Sequence, residues 1–150
     1  MTPQEALKKI MHYCAYQDRC THEVTSKLKE FELSSQTIQE IIDQLIEDNF
    51  INDERFCKLY SISKFKHLKW GRLKIEMALK QKMLPHHLIE IGLAEIDEED
   101  YKKTILDLFH AKTKNETISY EEKLKAMQYI ASKGFEKDLI LTCINKALHK

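Results

Sequence analysis

The sequence predicts an all-α protein built as three tandem three-helix repeats forming an elongated, curved array. Three observations predict it. Only three glycines (Gly71, Gly92, Gly134) and two prolines (Pro3, Pro85) interrupt 150 residues rich in Lys, Glu, Leu and Ile, which favours helices and leaves few turn signals for a sheet. Shifting the sequence against itself by 51 residues aligns four columns that are apolar in every copy: Leu28, Leu79, Ile130; Leu33, Leu84, Phe135; Ile38, Ile89, Ile140; and Ile42, Leu93, Ile144. Helix-start signals recur inside each copy. Units of about 50 residues are marginal as isolated cores, so neighbours are expected to share buried faces. A single globule of nine helices is the competing arrangement.

The expected units are 1–51, 52–96 and 97–150. In the first, Thr2-Pro3-Gln4-Glu5 supplies an N-cap hydroxyl, a proline at the first helical position and a capping-box glutamate. The helix near 3–17 carries Ala6, Leu7, Ile10, Met11 and Cys14 at helical spacing. Thr21 is expected to cap a second helix bearing Val24, Leu28 and Phe31. Ser34 or Ser35 opens a third with Ile38, Ile41, Ile42, Leu45 and Ile46, and Asn49 stops it because asparagine tolerates the left-handed conformation. In the second unit Asn52 or Asp53 caps a helix with Phe56, Leu59, Tyr60 and Ile62. Gly71 breaks the chain, and helices follow near 72–82 and 86–95, the latter begun at Pro85. In the third, Asp97 opens a helix with Tyr101, Ile105, Leu108 and Phe109. Ser119-Tyr120-Glu121-Glu122 is a second capping box, and Gly134 separates the last two helices.

The bulk numbers bound function. Twenty-four basic and 24 acidic residues cancel, so any affinity for nucleic acid or anionic membrane must come from a local patch. No stretch approaches the roughly 20 apolar residues of a membrane helix, and no signal-peptide run opens the chain, so a cytoplasmic protein is expected. Cys14, Cys20, Cys57 and Cys143 lie inside helical patterns, as reduced, packed thiols would. His12-x-Cys14 and Cys20-x-His22 offer zinc-ligand types, but six residues along one helix leave the two thiols about 120° apart. His86-His87 reads as solvated. No glycine-rich phosphate loop or nucleophile signature appears, so an enzyme is not expected, nor is a cofactor or metal.

Charge is uneven along the chain. Residues 61–83 hold Lys64, Lys66, Lys69, Arg72, Lys74, Lys80 and Lys82 against Glu76, a net +6; residues 90–100 hold Glu90, Glu95, Asp97, Glu98, Glu99 and Asp100, a net −6. A basic loop and helix with Phe65 and Trp70 can clamp phosphates and stack on bases, or meet an acidic protein surface. Alternatively the two runs neutralise each other between units.

These residues resemble the RecX regulators of the RecA recombinase. Asn49-Phe50-Ile51-Asn52-Asp53-Glu54-Arg55-Phe56 resembles the family's G-[YF]-[LI]-[DN]-D-x-R-F, and Gly71-Arg72-Leu73-Lys74-Ile75 resembles its G-P-x-[RK]-I. Arg19-x-Thr21-x-Glu23-Val24-x-x-Lys27-Leu28 is similar to the family's opening, and Glu121 to Phe135 to its third repeat. Asn49 and Arg72 depart from the pattern's glycine and proline, and Met83 stands where the second repeat normally has glycine. Asp53, Arg55, Phe56, Gly71 and Ile75 are read as the structural motif: Asp53 caps its helix, Phe56 packs inward beside Tyr60, and Arg55 pairs with Asp48 or Asp53.

The resemblance implies a monomeric modulator that binds RecA filaments on single-stranded DNA and limits strand exchange, ATP turnover and co-protease action. Lys64, Lys66, Lys69, Trp70, Arg72 and Lys74 are its expected contacts to the filament or to DNA directly. A helix-turn-helix-like DNA-binding protein is the alternative, because three short helices with a tight turn also describe that class.

Overall fold

The computed structural model describes residues 1–113 and 117–149. Among them are nine α-helices and no strand: α1 (Pro3–Tyr16), α2 (Thr21–Lys29), α3 (Ser35–Glu47), α4 (Asp53–Leu68), α5 (Arg72–Gln81), α6 (His86–Leu93), α7 (Glu98–Lys112), α8 (Tyr120–Ser132) and α9 (Lys137–Leu148). Helices pack chiefly within successive groups of three. The repeat columns explain why: ten of their twelve side chains are buried, and Leu33 and Leu93 are half-buried. The accessible surface, 9705 Å², exceeds the ~8,000 Å² of a compact monomer of this mass, so the chain is extended rather than a single ball.

The turn before each third helix repeats as well. Glu32, Met83 and Gly134 all take positive φ, at 55°, 61° and 96°, and they lie 51 residues apart. Only the third copy uses glycine, which occupies that region without a Cβ penalty. Asn49 is left-handed too, at φ 62°, ending α3 as its amide allows.

The structure decides two open cap choices and moves a third cap by one residue. Ser34, not Ser35, opens α3 by accepting from Thr37 N–H. Thr21 is the first residue of α2 rather than its cap; Cys20 occupies the cap position, and the Glu23 carboxylate accepts from its N–H at 3.2 Å. Asn52, not Asp53, caps α4, its side-chain oxygen taking Arg55 N–H at 2.9 Å. Asp53 instead reaches across to the first group and accepts from Thr21 N–H at 2.8 Å. Arg55 pairs with neither Asp48 nor Asp53 but with Asp18, at 3.1 Å, because its side chain points back into the same junction. Phe56 does lie beside Tyr60, with ring centroids 5.5 Å apart.

The two junctions between groups are built differently. α1–α3 close over their own core of Ile10, Val24, Leu28, Ile42 and Leu45 among others, whereas α4–α9 share one continuous core. The first junction is therefore mainly polar. Besides Asp53–Thr21 and Arg55–Asp18, Lys82 donates to Glu23 at 2.9 Å; Cys20 alone from the first group is buried in the shared core.

The second junction is apolar, with a polar clasp over it. Tyr101 stacks between Phe65 and Phe135, at 5.7 and 4.9 Å, tying α4 and α7 to the final turn. Its hydroxyl accepts from Arg72 N–H at 3.0 Å and donates to the Glu136 carboxylate. The Arg72 guanidinium lies over the same ring and pairs with Glu136 at 2.8 Å and with Glu98. Gly71 N–H and Leu73 N–H donate to the carbonyls of Lys133 and Gly134 at 2.8 and 2.9 Å. That approach requires glycine at both positions. A Cβ on Gly71 would come within 2.3 Å of the Gly134 backbone, and one on Gly134 within 2.4 Å of Lys74 Cβ.

Two outcomes follow from these junctions. Gly134→Ala adds a left-handed strain and an overlap, and is expected to lower stability by about 2–4 kcal/mol, while Met83→Gly removes strain at an exposed turn and raises it by about 0.5–1 kcal/mol. Urea unfolding of the two variants against the parent chain checks both signs. The second outcome concerns pH. Burial opposes ionisation of Glu23, but the hydrogen bonds from Lys82 and from Cys20 N–H, with the charge of Lys82, outweigh it and lower the carboxyl below its ordinary 4.5. A carboxyl with a lowered folded pKa contributes stability that is complete above its unfolded pKa and is lost as pH falls through the folded value. Melting temperature should thus drop on acidification below about pH 5, and Glu23→Gln should melt with a shallower dependence there. An identical acid dependence in the variant would contradict this account of the junction.

Candidate partner-binding surface

Helix α4 stops at Lys69, which takes φ 55°, and Trp70 N–H turns back to the Lys64 carbonyl at 3.2 Å. This is the usual hydrogen-bonded helix stop with a left-handed residue, here occupied by lysine. Phe65 anchors the last turns in the shared core, and half-buried Trp70 packs against the same core. Gly71 then locks the chain against the α8–α9 turn. The loop between α4 and α5 is consequently held at both ends, and its cations project from a fixed base.

Three of the seven cations in 61–83 are occupied within the fold. Arg72 is held by Glu98 and Glu136, Lys80 by Glu76 at 3.1 Å one turn back, and Lys82 by Glu23 at 2.9 Å. Arg72 was expected among the contact residues; the structure places its guanidinium in the α5–α7–α9 clasp, with its side chain 24% exposed. The remaining four, Lys64, Lys66, Lys69 and Lys74, form no salt bridge among the described residues. Lys64 and Lys74 flank Trp70, with their ammonium nitrogens 5.3 and 4.8 Å from its ring centroid, and Lys64 also lies 5.2 Å from Tyr60. Such contacts are worth about 0.5–1 kcal/mol each at exposed sites and steady the two lysines without neutralising them. Lys133 adds a fifth cation from the third group, donating to the Leu68 carbonyl at 2.8 Å.

The acidic run is only partly matched to this surface. Glu98 meets Arg72, whereas Glu95 faces Lys58 at 3.7 Å and Glu90 faces His86 at 2.9 Å. The two runs touch through one ion pair, and the basic cluster around Trp70 keeps its charge.

An apolar margin that charge and motif do not reveal borders this cluster. Leu68, Leu73 and Met77 are 45%, 51% and 64% exposed, and Leu73 and Met77 lie one turn apart on α5 beside Lys74. The signal was available in the spacing: Ile75 and Leu79 form the buried stripe of α5, and Leu73 and Met77 fall out of phase with it. Of the motif residues, Gly71 and Ile75 position the surface from beneath, Asp53 and Arg55 serve the other junction, and Phe56 is buried in the shared core.

All four cysteines are free and buried, and burial pushes Cys20 and Cys57 up to about 11, so their thiolates are scarce at neutral pH. The Cys14 and Cys20 thiols lie in separate cores. Among the described residues no group of three His, Cys, Asp or Glu is placed to hold a metal ion, and no helix is long and apolar enough to cross a membrane.

Comparison with known proteins agrees with this architecture. Residues 6–45 match the family model described as the first three-helix domain of RecX, and residues 52–93 match its second three-helix domain. The regulatory protein RecX of Lactobacillus gasseri is 32% identical over 136 residues, spanning 89% of this chain and 50% of the relative. That of Bacillus thuringiensis is 27% identical over 149 residues, spanning 95% and 54%. The chain thus spans about half the length of the curated relatives it matches. The crystal structure of RecX from Lactobacillus salivarius superposes with a TM-score of 0.88 at 25% identity, over 96% of this chain and 95% of that one. A second crystal structure, of a regulatory protein RecX, shares the fold with a TM-score of 0.84 at 19% identity, over 95% and 71%. With two of its three-helix groups matched by the family's own domains and the whole helical array shared with a solved relative, the chain belongs to the RecX family of regulatory proteins.

Proposed function

We propose that this chain is a non-enzymatic regulator that binds RecA filaments assembled on single-stranded DNA and restrains strand exchange, ATP turnover and co-protease action. The observation that carries the reading is the un-neutralised cluster of Lys64, Lys66, Lys69 and Lys74 around Trp70, in a chain whose net charge is zero. An array of helical units presents contacts over an extended length, which suits an extended polyanionic filament better than a small ligand. The lysines supply the salt-sensitive part of the affinity, Trp70 a rigid aromatic anchor, and Leu68, Leu73 and Met77 an apolar margin that excludes water. Arg72 acts through the clasp, holding α5 so that Lys74 and Trp70 stay together.

The test is a single variant carrying Lys66→Glu, Lys69→Glu and Lys74→Glu, which leaves Arg72 and every buried residue in place. Its half-inhibitory concentration in RecA-catalysed strand exchange should rise at least about tenfold. The log–log salt dependence of filament binding should flatten by about two, the loss of three phosphate contacts to a single strand. Unchanged inhibition by the variant, with its helical circular dichroism intact, would overturn the assignment of the surface. Tighter binding to bare duplex than to the filament would favour the helix-turn-helix-like alternative instead.

A further inference from the structure

The first group of helices carries a second surface that the Trp70 cluster does not include. Between α1 and α2 lies an open groove of about 860 Å³, lined wholly by residues of these two helices and the turn that follows α2. Its floor is apolar, formed by Ile10, Tyr13 and Phe31, and Tyr16 stands at its margin, 79% exposed. Lys8, Lys9 and Lys27 rim it, and no carboxylate is among its lining residues. Lys27 pairs with an exposed i,i+3 partner, Glu30, at 3.1 Å, a contact worth little in water, and its ammonium lies 5.8 Å from the Tyr13 ring centroid.

We propose that this groove binds an acidic amphipathic helix of a protein partner, with apolar anchors one turn apart entering the floor and carboxylates meeting the lysine rim. Shape and charge select that occupant. The volume accommodates a few aliphatic or aromatic side chains, the usual number of anchors when a helix lies in a groove. A single-stranded nucleic acid is the competing polyanion, but it binds by stacking successive bases on free aromatic faces. Here the Tyr13 face is already covered by the Arg19 guanidinium at 3.9 Å from its centroid, and Phe31 is half-buried in the floor. Tyr16 is the one open ring of the three. The site is separate from the Trp70 cluster, and its test requires no filament.

The probes are three: an 18-residue peptide with Leu or Phe at helical positions i, i+4, i+7 and i+11 and Glu elsewhere, the same peptide with every Glu replaced by Lys, and a dT12 oligonucleotide. Each is titrated into isotope-labelled full chain, with amide shifts followed by NMR. The acidic peptide is expected to shift resonances of α1 and the end of α2, and to bind at least tenfold more weakly to the Lys8→Glu, Lys9→Glu double variant, whose substituted side chains are both exposed. Tyr16→Ala should weaken it by a smaller factor, with the fold unchanged. Equal binding of the Lys-substituted peptide would overturn the proposal. So would dT12 shifting the groove residues in place of the peptide, or the absence of peptide-induced shifts there.

Discussion

The structure depends on one repeated constraint: the second helix of a group opens with backbone N–H groups that the following group satisfies. A helix leaves its first N–H donors unpaired, and a buried unpaired donor costs about 1–3 kcal/mol. At α2 and α5 the cap positions are Cys20 and Gly71, neither of which supplies a capping side-chain oxygen of the ordinary kind. Asp53 at the start of α4 therefore takes Thr21 N–H, and Tyr101 in the first turns of α7 takes Arg72 N–H. The first helix of each following group is thus held against its predecessor at a defined place. α8 differs, because Ser119 caps it from its own chain segment.

Although the capping logic is shared, the two junctions differ in what surrounds it. Between the second and third groups, Phe65, Tyr101 and Phe135 join the cores, and the Gly71–Gly134 approach lets two backbones exchange hydrogen bonds directly. Apolar burial is insensitive to charge state, so the apolar part of this junction depends little on pH and salt. Between the first and second groups, ion pairs and one carboxylate cap do most of the joining. Polar junctions are screened by salt and respond to protonation, which makes the first group the one whose attachment solution conditions can alter.

The clasp also explains why the basic cluster keeps its charge. Arg72, the residue that departs from the family's proline, is the cation nearest the acidic run, and two carboxylates hold it in the junction. With Arg72 removed from the surface, the ammonium groups of Lys64 and Lys74 face the Trp70 ring, an electron-rich face that attracts cations without neutralising them. Like charges held together in this way repel, and an anionic partner relieves that repulsion.

Much of the architecture was legible in the sequence because apolar periodicity and cap chemistry are local. The 51-residue columns located the buried faces, and Thr2, Asn49, Asp97 and Ser119 marked helix ends through hydrogen bonds or turn conformations spanning a few residues. The motif block pointed to a family, and the Lys64–Lys74 stretch stood out by charge alone. What the sequence left open was every pairing between groups. Asp53 could equally cap its own helix, Arg55 had two nearer carboxylates, and Arg72 was indistinguishable from the lysines around it. Those choices depend on which distant atoms the packed cores bring within about 3 Å, and hydrogen bonds and ion pairs decay too steeply with distance for residue type to decide them. Composition and spacing determined the helices and their buried faces; only the tertiary structure decided which charges the fold consumes and which it leaves for a partner.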